Sequence, residues 1–159
     1  TQFMFRASRY WEIPGKFYFG SFLESHLRVP FNQPFINTNM LGYNDSFLRG
    51  LEYYVVDGVA GGFVRNTFGK EILNFKVKTG LNSKTHAYIP FKIYMKGYGD
   101  MGYVYRKNIS ADNRLNNKLL YTGGIGIDVA SFYDVVLRFE YSFNQLNEKG
   151  LFVHKSDGR

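Results

Sequence analysis

The sequence predicts an all-β chain, an antiparallel transmembrane β-barrel with about seven strands, and three observations carry that prediction. Apolar residues recur with a period of two rather than 3.6. The alternating runs are roughly ten residues long, the length a tilted strand needs to cross a bilayer and longer than the five or six usual in soluble sheets. Phe, Tyr and Trp make up 19% of the 159 residues, nearly as much as all charged residues at 21%, a balance that collapses rather than staying disordered.

The strands follow in order. A weakly alternating segment covers 1–12, and Ile13-Pro14-Gly15-Lys16 forms a tight turn. In 17–29 the odd positions Phe17, Phe19, Leu23, Leu27 and Val29 are apolar, against Lys16, Glu24 and His26 at even ones. The stretch 60–78 alternates weakly. In 91–105 the odd face runs Phe91, Ile93, Met95, Gly97, Gly99, Met101, Tyr103 and Tyr105, with Lys92, Lys96 and Asp100 opposite. In 119–129 Leu119, Tyr121, Ile125, Ile127 and Val129 face away from Thr122, Gly124, Gly126 and Asp128. In 133–143 Tyr133, Val135, Leu137, Phe139, Tyr141 and Phe143 oppose Asp134, Arg138, Glu140 and Ser142. A short last strand is expected over Gly150–Lys155. Tight turns alternate with longer links, the habit of outer-membrane barrels, whose short turns are periplasmic. That order puts residue 1 outside and Arg159 in the periplasm.

The apolar set is large and aromatic, and several of its rings fall near strand ends, as interfacial girdles do. The polar set mixes both charge signs with Gly, as a wet lumen does. A soluble lipocalin-like barrel also alternates, with its apolar face inward. An odd strand count would leave unpaired edges in lipid. These strands are therefore expected to be part of a larger barrel or to close against a partner.

Composition removes other classes. No run of 18 apolar residues predicts a transmembrane helix, and residues 1–30 lack a signal-peptide pattern. Cys is absent, which excludes disulfides, thiolate metal sites and a Cys nucleophile. Lys and Arg number 20 against 13 Asp and Glu, a net +7, but the longest basic run is Arg106-Lys107, so no nucleic-acid face is expected. His26, His86 and His154 lie on separate segments with no metal-ligand spacing. Asp134 and Glu140 are about 20 Å apart at ~3.3 Å per residue, too far for paired acid–base work. No phosphate-binding loop follows any strand. No enzyme and no cofactor are expected.

The most informative stretch is the loop at 30–59. Loops of that length inside a compact domain are uncommon and usually functional. Phe31, Phe35, Met40, Leu41, Phe47, Leu48 and Leu51 give it something to pack with, so a folded plug or lid is expected. Arg49-Gly50 sits in its middle, a forked cation beside a residue that permits close backbone approach.

Five motifs then occur in series: Leu48-Arg49-Gly50-Leu51; an acidic residue, Glu71, in the next strand; Tyr98-Gly99-Asp100-Met101-Gly102; Gly124-Ile125-Gly126; and Leu137-Arg138-Phe139-Glu140-Tyr141. In this order the chain resembles the C-terminal part of the barrel in the outer-membrane insertase superfamily of BamA and TamA type, over almost all its length. There the sixth extracellular loop folds into the barrel and carries a Val/Ile-Arg-Gly-Phe/Tyr motif; here both flanks are Leu. The resemblance implies a larger, sixteen-stranded barrel in the bacterial outer membrane, with periplasmic POTRA domains and earlier strands absent from 1–159. It implies that client proteins are inserted or translocated through a lateral seam, one side of which is the strand of Leu151, Phe152 and Val153. Its partners would be outer-membrane lipids, client outer-membrane proteins and accessory periplasmic or lipoprotein subunits. Family barrels commonly end on an aromatic residue; this sequence ends Asp157-Gly158-Arg159.

Parity supports one carried-over role. Asp100 lies on the polar face, where an Arg from an in-folded loop would meet it, so Arg49 is expected to lock the loop to Asp100, with Glu71 as a second lumen acid. Lys70 would then point to lipid, where it costs roughly 2–4 kcal/mol at mid-bilayer, unless it sits at the interface or the register slips. Two other classes stay open: a passive outer-membrane porin or transport channel, and a soluble lipocalin-like binder.

Overall fold

The computed structural model describes residues 1–32, 38–43, 46–78, 88–107, 115–131 and 135–157. Phe35, His86, Tyr133, Asp134 and Arg159, on which expectations rest, lie outside the described residues. Among the described residues all the regular elements are strands: β1 (Gln2–Ile13), β2 (Phe17–Arg28), β3 (Asn39–Leu41), β4 (Val56–Asp57), β5 (Ala60–Lys78), β6 (Tyr88–Tyr105), β7 (Leu119–Ala130), β8 (Val135–Asn144) and β9 (Lys149–Asp157).

Seven of them form one sheet in the order β1-β2-β5-β6-β7-β8-β9, and every neighbouring pair is antiparallel. Short β3 and β4 pair separately within the 30–59 segment. The described residues thus form an open sheet, not a closed barrel: β1 and β9 are its edges. Seven strands that alternate in direction leave both edges running the same way, so an antiparallel ladder could not join them. The sheet nonetheless wraps round a cavity of about 750 Å³ whose lining includes Tyr10 of β1 and His154 of β9.

Alternation sorts the side chains onto two very different faces. The outer face carries large apolar groups in the open, such as Met101, Tyr121, Ile125 (65% exposed), Phe143 and Leu151 (70%). The inner face holds charge in burial: Glu24 and Asp100 are 1% exposed, Glu140 3% and Lys96 5%. A water-soluble sheet usually turns its large apolar groups inward and its charges out; here many of the large apolar groups lie outside and several charges inside.

Two strands depart from expectation. The weak alternation of 60–78 has a local cause, a bulge between Glu71 and Leu73 in the β5–β6 ladder. One extra residue on one strand flips every later side chain to the other face. Before the bulge Phe68 and Lys70 face outward with Met95; after it Leu73 and Phe75 do, opposite Ile93 and Phe91. Lys70 stays outside, its Nζ 4.6 Å from the Phe17 ring centre. The last strand is also longer than Gly150–Lys155, spanning nine residues with Phe143 paired to Lys149.

The apolar core lies between the loop and the sheet. Met40, Leu41, Leu48, Leu51 and Val56 from the 30–59 segment pack with Phe63 of β5, Val104 of β6, Leu120 of β7 and Leu115, which precedes β7. Burying each such side chain is worth roughly 1.5–3 kcal/mol. The segment therefore has its own reason to stay on the inner face before any charge is counted.

Candidate functional site

At the centre of the inner face Arg49 meets Asp100. Arg49 Nε donates to Asp100 Oδ2 at 2.8 Å and Nη2 to Oδ1 at 2.5 Å, a side-on, two-pronged pair. The backbone N–H of Arg49 also donates to Oδ2, at 3.2 Å. Nη1 donates to Thr67 Oγ1 at 2.8 Å and Nη2 to the Asn66 carbonyl at 3.1 Å, so the guanidinium spans β5 and β6. The cation sits 4.1 Å from the centre of the Tyr98 ring. Burial lowers the guanidinium pKa, but the hydrogen bonds and charge of Asp100 outweigh it and hold the value above that of free Arg.

Gly50 follows in a left-handed conformation, φ +86°, that side chains with a Cβ rarely adopt. A Cβ there would come within 3.0 Å of Ser142 Cβ, so the glycine also lets the loop backbone touch β8. Asn144 Nδ2 donates to the Gly50 carbonyl at 2.8 Å.

Gly124 and Gly126 of β7 make the floor of the site. In register, Tyr98 faces Gly124 and Lys96 faces Gly126. A Cβ on Gly124 would collide with the Tyr98 ring, and one on Gly126 would lie 3.0 Å from Lys96 Cε. Without those Cβ atoms both β6 side chains cross β7 and reach β8. Tyr98 Oη bonds Ser142 Oγ; Lys96 Nζ lies 2.5 Å from Glu140 Oε1 and 2.7 Å from Asp128 Oδ1. Gly102 is tight for another reason: its missing Cβ would sit 3.1 Å from Leu48 Cδ1.

Beyond Gly50 the loop reaches the last hairpin. The rings of Tyr53 and Phe152 are 5.8 Å apart, and Tyr54 Oη donates to Glu148 Oε1 at 2.5 Å. Glu52 Oε2 accepts from the Gly50 N–H at 2.8 Å, while its Oε1 is 3.9 Å from His154 Nε2, too long for a hydrogen bond. Burial raises the Glu52 pKa against the lowering effect of the Gly50 bond.

Glu71 requires a correction. It does not join Arg49 but pairs with Lys16 Nζ at 2.9 Å beside the β1–β2 turn. The register explains it: Asp100 lies opposite Arg65 and Glu71 opposite Tyr94, six residues further down β6 and about 20 Å away at ~3.3 Å per residue. Leu151 and Val153 project outward from the edge strand β9, and Phe152 turns inward to Tyr53.

Two groups carry more than the sequence reading assigned them. Lys96 ties together Asp128 and Glu140, and Glu24 collects donors from three segments: Arg6 Nε at 2.7 Å, His26 Nε2 at 2.8 Å and Ser46 Oγ at 2.5 Å. Their signal was charge at even positions of otherwise apolar strands; parity shows the face but not the partner. Among the described residues no group of three or more His, Asp or Glu converges as a metal site. Chemically, the arrangement is suited to holding a loop in place. Neither a family model, nor a curated protein, nor a solved structure matches this chain.

Proposed function

We propose that this chain is the C-terminal portion of a bacterial outer-membrane β-barrel of BamA/TamA type, which inserts or translocates client proteins through a lateral seam. The observation that carries the reading is the Arg49–Asp100 clamp: a long loop seated by a forked cation on a buried acid of the inner face, in a sheet whose outer face is apolar. In hydrocarbon the outer face is solvated by lipid tails, and the charged inner face would line the lumen of the complete barrel.

The open edge of the sheet supports the seam. β9 pairs with β8 on one side only, so its other side offers unpaired N–H and C=O groups. Such an edge templates a further strand, its own barrel's or a client's. On this reading the partners are outer-membrane lipids, client outer-membrane proteins and accessory periplasmic or lipoprotein subunits, and the C-terminus is periplasmic. The inverted faces speak against a lipocalin-like binder, which needs its aromatic face inside.

The test is reconstitution of the full-length protein in liposomes with a urea-denatured outer-membrane client. Faster client folding than in empty liposomes, abolished by a disulfide tethering β9 to its neighbour across the seam, is the expected result. No acceleration, together with a steady large conductance in planar bilayers, would replace the reading with a passive channel.

A further inference from the structure

We infer that the 30–59 loop is a strap held at two separate points, Ser46 on Glu24 and Arg49 on Asp100, so that each arm releases on its own. The inference rests on loop geometry and not on the insertase reading.

The first arm lies on the β2–β5 side. Arg28 Nη2 donates to the Asn39 carbonyl at 2.6 Å, and Tyr43 Oη donates to Asp57 Oδ1 at 2.9 Å. The arm ends where Ser46 Oγ donates to Glu24 Oε1 at 2.5 Å. Glu24 is 1% exposed, and its other oxygen accepts from Arg6 Nε of β1 at 2.7 Å. A carboxylate so deeply buried is held in place by these donors; His26 Nε2 shares Oε1 with Ser46, so losing Ser46 frees the loop while Glu24 keeps its bonds to β1 and His26. Glu24 is therefore a positioning residue, connecting the loop to the edge strand β1.

The second arm lies on the β6–β9 side. It begins with the Arg49 clamp, continues through the Asn144–Gly50 bond, and ends with Tyr53 on Phe152 and Tyr54 on Glu148. The strap thus connects with β1 through Glu24 at one end and with β9 through Phe152 at the other.

Phe47 divides the arms. Its ring lies 5.5 Å from the Arg65 guanidinium carbon, which is also 4.5 Å from the Phe22 ring centre and 5.3 Å from that of Phe63. Glu24 pairs in register with Phe63 of β5, whose own partner on β6 is Gly102, two residues from Asp100. Two strand spacings and two residues put the anchors on the order of 12 Å apart across the sheet, beyond the range at which sites usually couple.

The experiment is segment-resolved hydrogen exchange on the full-length protein in detergent, with heat-shifted gel mobility confirming in each variant that the barrel is intact. Glu24→Gln should speed exchange in the first arm about tenfold or more and change the second by less than about twofold. Arg49→Ala should do the reverse. Ser46→Ala removes only the loop's side of the first anchor and should reproduce the Glu24→Gln pattern even if that variant disturbs β1. Both arms loosening together in either variant would overturn the inference, as would unchanged exchange in Ser46→Ala. A variant that keeps its heat-shifted band but fails this pattern counts against the strap alone; loss of the band in the unsubstituted protein counts against the barrel reading.

Discussion

The ring of Tyr98 occupies the space that a Cβ on Gly124 would fill, and its hydroxyl reaches Ser142 on the strand beyond. Arg49 rests over that ring, 4.1 Å from its centre. A glycine on β7 thereby sets the height at which a loop arginine meets an acid on β6. Gly124→Val should push Tyr98 off its floor and cost roughly 1–3 kcal/mol, as overpacking does. Gly99→Ala is the matched control, since a Cβ there meets nothing within 4 Å. The temperature at which the compact gel band unfolds should fall for the first and hold for the second. Equal behaviour of the two would remove the floor.

The clamp itself has a chemical test. Asp100 is fully buried and Arg49 nearly so. Removing one partner from such a pair costs roughly 3–5 kcal/mol, because the other is left charged and unsolvated. Asp100→Asn and Arg49→Ala should both lower heat stability and expose the loop to protease. Arg49→Lys should recover little, since an ammonium cannot grip both carboxylate oxygens and Thr67 together. Wild-type protease resistance in Arg49→Ala would end the loop-holding role.

A single outer-face substitution separates lipid from water. Ile125 is 65% exposed in the middle of β7. Against lipid at mid-bilayer, Ile125→Arg costs roughly 2–4 kcal/mol. In a protein with that face in water the same change would fall within about ±0.5 kcal/mol. Equilibrium unfolding by denaturant from lipid vesicles measures the difference directly.

The second arm should respond to pH in two opposed ways. The Glu148 carboxyl is held below its ordinary pKa, chiefly by the Tyr54 hydroxyl and then by Asn144. Its stabilisation is present above the ordinary carboxylate pKa and is lost as pH falls through the depressed value. The Glu52 carboxyl is raised, chiefly by burial, so its favourable protonated form is complete below the ordinary pKa and is lost as pH rises through the raised value. Glu52→Gln keeps an acceptor for the Gly50 N–H without the charge and should seat the arm more firmly at neutral pH. Tyr54→Phe should abolish the loosening seen on acidification. Hydrogen exchange of the second arm between neutral and acid pH reads both; an unchanged pH profile in Tyr54→Phe would exclude Glu148 as its source.

Much of the sheet was legible because strand alternation is a local property. Phe139 and Glu140 must face opposite ways wherever β8 lies, and the same rule placed Asp100 with the inward set. The meeting of Arg49 and Asp100 was expected from the resemblance, and parity added only that Asp100 lies on the inward face; other inward acids, such as Glu24 and Glu140, share that face. Glu71 misled, since parity assigns a face but not a position along the strand; the ladder puts Glu71 beside Lys16 instead. The bulge after Glu71 was visible only as weak alternation, because one inserted residue blurs the period without marking where it lies.

The order of residues by itself determined an all-β chain, two chemically opposed faces, and a loop with enough apolar side chains to fold back. Those follow from backbone sterics and the two-residue pleat, which need no distant partner. Tertiary structure alone decided that the sheet stays open between β1 and β9, that Glu24 gathers Arg6, His26 and Ser46, and that Lys96 bridges Asp128 and Glu140. Each of these depends on register between strands far apart in the chain. Register is set by the summed fit of all the ladders and by where glycines let side chains cross, which no short stretch of sequence contains.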